Sequence, residues 1–68
     1  MKEVSGKKLV SVLKKHGWDL IRSKGSHFTL EKPGREGRVT VPVHGNKPLA
    51  PSLLARLMKD TDLKQKDL

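Results

Sequence analysis

Ser26-His27-Phe28-Thr29-Leu30-Glu31-Lys32-Pro33-Gly34-Arg35-Glu36-Gly37-Arg38-Val39-Thr40-Val41-Pro42-Val43 reads as two strands joined by a turn. Apolar and polar residues alternate at both ends of the stretch, over Ser26 to Glu31 and over Arg38 to Val43. The stretch between, from Lys32 to Gly37, is made of turn formers. Side chains of a strand point alternately to its two sides. Phe28 and Leu30 therefore share one face with Val39, Val41 and Val43. His27, Thr29 and Glu31 share the other with Arg38, Thr40 and Pro42. A sheet with one apolar and one polar face needs cover on one side only, which leaves the polar face and His27 open.

Working outward, Trp18 to Ser23 reads as a third strand. It is linked to the second through Lys24-Gly25, which is short enough to make an antiparallel hairpin. Upstream, Ser5 to His16 has helical periodicity. Ser5 is placed to cap its first turn and Gly17 to end it. Leu9, Val12, Leu13 and His16 fall on its packing face, with Val10 at the edge. Lys7, Lys8, Ser11, Lys14 and Lys15 fall on the opposite face. Downstream, the loop His44-Gly45-Asn46-Lys47-Pro48 leads to a helix over Pro51 to Asp60. This helix packs through Leu53, Leu54, Leu57 and Met58, and Pro51 is tolerated in its first turn. Asp62 and Gln65 have capping-box spacing for one more turn in the tail. The order helix, three strands, helix predicts one α+β two-layer domain over residues 1–68. Its three-stranded antiparallel sheet carries both helices on one face, the layout of double-stranded-RNA-binding domains.

A chain of 68 residues buries only ~60% of its unfolded surface, so an active site here is a surface groove and not a deep cavity. There is no cysteine, which excludes disulfides and cysteine-based metal sites. The histidines and carboxylates match no common metal-ligand spacing, so neither metal nor cofactor is expected. The first residues lead into a polar helix and not an apolar signal core. No apolar run reaches membrane-spanning length, so the reading is a cytoplasmic protein with no membrane contact. Net charge is +8, from 15 basic and 7 acidic residues. No acid lies between Val4 and Trp18 or between Gly37 and Lys59. Such an excess attracts phosphate backbones or acidic partners, and charge alone does not separate the two.

Each of the three histidines has a plain reading and a chemical one. His16, in the last turn of the first helix, suits the negative end of that helix and is read as structural. His44, between the third strand and Gly45, fits a phosphate contact, a part in chemistry, or a bond to loop backbone. His27 follows Gly25-Ser26 at the start of a strand, with Arg22, Lys24, Arg38 and Thr40 as neighbours to be expected on its face. RNA cleavage requires a group that takes the 2′-OH proton or protonates the leaving 5′-oxygen, and cations that steady the charge on phosphorus. An imidazole among guanidinium and ammonium groups meets both needs. An ordinary exposed strand histidine would look the same. Trp18 could stack a base, but a chain with two aromatic residues needs both in its core.

The run Gly17, Arg22, Gly25-Ser26-His27 resembles the G-x(4)-R-x-x-G-S-H signature of HicA toxins, and Val41-Pro42-Val43-His44-Gly45 resembles the exit of that family's third strand. The resemblance runs from about Ser5 to Leu63. It implies a double-stranded-RNA-binding-like fold and an endoribonuclease, an mRNA interferase, in which His27 is the catalytic residue. It also implies a HicB-type antitoxin as protein partner. On this reading Arg22, Lys24, Gly25, Ser26 and Arg38 shape and hold the phosphate, Lys7 and Lys14 extend the RNA footprint, and His44 and Ser52 are accessory. The alternative is an RNA-binding module of the same fold that does not cut. One stretch departs from the family. Where it usually has lysines followed by Gly-Thr-Leu, this chain has Leu49-Ala50-Pro51-Ser52-Leu53, and Ser52 keeps a hydroxyl near the helix start.

Overall fold

The computed structural model describes residues 3–68. Helix α1 spans Gly6–Lys15, strands β1, β2 and β3 span Asp19–Lys24, His27–Glu31 and Arg38–Pro42, and helix α2 spans Pro51–Thr61. The strands form one antiparallel sheet in the order β1-β2-β3. This is the expected α+β arrangement, with the double-stranded-RNA-binding-like order of elements.

Local chemistry explains the ends of both helices. The Ser5 hydroxyl accepts from the Lys8 N–H at 3.0 Å and caps α1. At its other end Gly17 takes φ +93°, which lets the Trp18 N–H reach the Leu13 carbonyl at 3.0 Å and the Gly17 N–H reach that of Lys14 at 3.2 Å. This turn takes His16 off the helical phase. His16 is exposed, with Nε2 3.9 Å from Asp67 Oδ1, and does not join the packing face on which periodicity placed it. Helix α2 ends in the same way with aspartate in the glycine's place. Asp62 sits at φ 59°, and the Leu63 N–H bonds the Met58 carbonyl at 3.0 Å. The capping box expected from Asp62 and Gln65 does not form, because Asp62 is taken up by this turn. The short 3-10 turn Gln65–Asp67 is instead held by Asp67, whose Oδ2 accepts from the Lys64 N–H at 2.8 Å.

The core lies between the sheet's apolar face and the helices. Leu9 and Leu13 of α1, Leu30 of β2 and Val41 of β3 are fully buried, and Trp18, Val39, Leu54, Leu57 and Met58 close around them. Burying side chains of this size contributes roughly 1.5–3 kcal/mol each. Phe28 and Val43, expected inside, are only half-buried. They lie where α1 leaves the end of the sheet open, in a cleft of about 430 Å³ shared with Lys7, Val10, Ser11 and Lys14.

Arg35, in the loop between β2 and β3, ties that loop to the end of α2. Its guanidinium donates to Asp62 Oδ2 at 2.7 Å and to the Asp60 carbonyl at 2.8 Å, and lies 5.7 Å from the centre of the Trp18 ring. The bond from Arg35, and the attraction of its charge, hold the Asp62 carboxyl below the ordinary 3.8. A carboxyl whose pKa is depressed by folding contributes stability above its unfolded pKa. That contribution is lost as pH falls through the folded value, here below 3.8. Arg35→Ala is expected to return the Asp62 titration towards 3.8, as read by carboxyl-carbon NMR. An unmoved Asp62 midpoint would mean that the bond is not made in solution.

Candidate nucleic-acid interface

The site begins with the hairpin between β1 and β2. Its two-residue turn is Gly25-Ser26, and Gly25 has φ +57°, which side chains rarely allow. The turn sets Lys24 directly opposite His27. On the other side of the central strand His27 stands opposite Pro42, which an edge strand tolerates. The Val43 N–H donates to the Ser26 carbonyl at 2.7 Å and extends the β2–β3 pairing past His27 to the turn. The histidine is thus held by paired backbone on both sides while its side chain is exposed.

A β-bulge determines which β1 side chains join it. Leu20 pairs with Leu30, but the next pair is Arg22 with Thr29, so Ile21 is extra. Without this insertion, alternation from the inward Leu20 would also turn Arg22 and Lys24 inward. With it, the open face has three rows across the sheet: Lys24, His27 and Pro42; Arg22, Thr29 and Thr40; Asp19, Glu31 and Arg38. The Thr29 and Thr40 hydroxyls are 3.2 Å apart. The charge therefore changes along the face. The His27 row and the next contain no acid, and among the described residues neither Arg22 nor Lys24 makes an ion pair. The third row contains two carboxylates, and Arg38 Nε lies 3.8 Å from Glu31 Oε2.

The structure thus brings Arg22, Lys24, Gly25 and Ser26 around His27. It does not bring Arg38 there. Arg38 is two rows away beside Glu31, because the β2–β3 register pairs the start of one strand with the end of the other. Lys7 and Lys14 border the cleft with Phe28, on the side of β2 away from His27. His44 is exposed in the loop just past Pro42, where its carbonyl accepts from the Lys47 N–H at 3.0 Å. Ser52 is exposed in the first turn of α2 on the helix layer. The residues that sequence reasoning missed here are Thr29, as hydroxyl partner of Thr40, and Ile21, the bulged residue, which is 39% exposed. Among the described residues no three His, Asp or Glu side chains gather where they could hold a metal ion, and no helix is long and apolar enough to cross a membrane.

A two-layer α-β-β-β-α domain, with a basic end free of acids on its open face, has the double-stranded-RNA-binding-like fold. The family model described as HicA toxin of bacterial toxin–antitoxin matches residues 6–63 of the 68. The chain belongs to the HicA toxin family. No curated protein matches its sequence.

Proposed function

We propose that this protein, acting as one domain, is a toxin-type endoribonuclease that cleaves single-stranded messenger RNA with His27. The observation that carries the reading is the placement of an exposed imidazole on the first residue of β2, opposite Lys24 and next to the row of Arg22, with no carboxylate in either row. Family membership supports the same chemistry. The 2′-oxygen forms a bond to phosphorus as the bond from phosphorus to the 5′-oxygen breaks. His27 either takes the 2′-OH proton or protonates the departing 5′-oxygen, and His44 or water handles the other proton. Lys24, directly opposite His27, steadies the charge on the phosphoryl oxygens. The products are a 2′,3′-cyclic phosphate and a 5′-hydroxyl. A HicB-type antitoxin neutralises the toxin, and the net charge of +8 suits an acidic partner surface.

The test is incubation of the purified protein with unstructured RNA in EDTA, with product ends mapped on a gel. Discrete fragments bearing cyclic-phosphate ends are expected. Tight, salt-sensitive binding with intact RNA would instead identify a binding module that does not cut.

A further inference from the structure

The three rows of the open face differ in what they offer a phosphate, and the middle row is assigned no role by the chemistry at His27. It holds the Arg22 guanidinium and the hydroxyls of Thr29 and Thr40, 3.2 Å apart. When one of these hydroxyls donates to the other, the acceptor's own proton stays free to point outward, so the pair presents a donor beside a cation. Neighbouring rows are separated by two residues of strand, about 6.7 Å, which is the length of one nucleotide step in an extended single strand. The next row repels phosphate, because Asp19 and Glu31 outweigh Arg38, and Arg38 is engaged by Glu31 at 3.8 Å.

We infer that Arg22, Thr29 and Thr40 form a second phosphate subsite, one nucleotide from the phosphate attacked at His27, and that the strand leaves the sheet there because the acidic row blocks its advance. This subsite rests on the proposed RNA reading but not on cleavage. Arg22 supplies charge, and the threonine hydroxyls supply the hydrogen bond that fixes where the phosphate stops. The hydroxyl pair also bridges β2 and β3, so a purely structural role must be told apart from a binding one.

The experiment uses His27→Ala protein, which keeps the RNA whole, and a twelve-nucleotide single-stranded RNA of mixed sequence, with affinity measured across a salt series. Arg22→Gln is expected to weaken binding roughly tenfold and to lower the log–log salt slope by about 0.7, the loss of one phosphate contact on a single strand. The pair T29V and T40V is expected to weaken binding severalfold with the slope unchanged. Combined with Arg22→Gln it should cost little more than Arg22→Gln alone, because both act on one phosphate. Combined with Lys24→Gln, which faces a different phosphate, the losses should multiply. A threonine pair that only braces the sheet would shift the melting temperature and leave affinity within twofold, which overturns the inference. Multiplicative losses with Arg22→Gln overturn it too. Intact RNA with the native protein, alongside the expected coupling, would sink the nuclease reading and leave the subsite standing. Absence of any RNA binding would remove both.

Discussion

His27→Ala is expected to abolish RNA cleavage while leaving the fold and most RNA affinity in place. Loss of a positioned proton-transfer group typically costs 10²–10⁴ in rate, or about 3–5.5 kcal/mol of barrier. The side chain is exposed and lies outside the buried core, so truncation removes chemistry without opening a cavity. Backbone pairing on both sides of β2 holds the strand whatever residue occupies the position. The measurements are initial cleavage rates of folded protein and growth of cells expressing the native or the variant chain. A folded variant that still cuts and still arrests growth would refute the assignment of His27.

The second large effect concerns Gly6, and here helix propensity and the structure disagree in sign. Gly6 is the first residue of α1, where alanine would be favoured by up to ~1 kcal/mol on propensity alone. In the fold, the start of α1 presses against the end of β3. A Cβ on Gly6 would collide with the Pro42 carbonyl oxygen and lie 3.0 Å from Pro42 C and 3.2 Å from Val43 Cα. These are backbone atoms held in place. The Val43 N–H is bonded to Ser26, and the segment before α1 is tied down by the Leu49 N–H on the Val4 carbonyl at 2.8 Å. Nothing flexible can yield, so Gly6→Ala is expected to destabilise by roughly 3 kcal/mol. For a domain this small that lowers the melting temperature by on the order of 15 °C. Circular dichroism melting decides it, and an unchanged or raised melting temperature would mean that α1 and β3 do not approach so closely. The same contact bears on the site, because the segment that would be displaced includes the residue opposite His27.

The division between what the sequence disclosed and what it hid follows the range of the forces involved. Strict alternation in β2 and β3 assigned their faces, because a strand with one buried side has no other register that hides Leu30, Val39 and Val41. His27 could be placed on the open side for the same reason. Strand β1 has a bulge, and a single extra residue reverses the phase of everything after it. Arg22 and Lys24 were legible as basic residues near His27, but the insertion at Ile21 that turns them to its face leaves no local sign. The register of β2 on β3 likewise decides that Arg38 meets Glu31 and not His27. The half-exposure of Phe28 depends on how far α1 reaches over the sheet, which periodicity does not encode. The grip of Arg35 on Asp62 needs a left-handed residue at the end of α2, and an aspartate is a less obvious marker of that conformation than a glycine.

That grip also gives the molecule an optical reporter. Trp18 is the sole indole and is 3% exposed, lying under the Arg35 guanidinium and joined through its own amide to the end of α1. Its emission is therefore sensitive to two events, release of the β2–β3 loop and fraying of the first helix. A fluorescence change that precedes the loss of helical ellipticity during denaturation would identify the loop as the first part to detach.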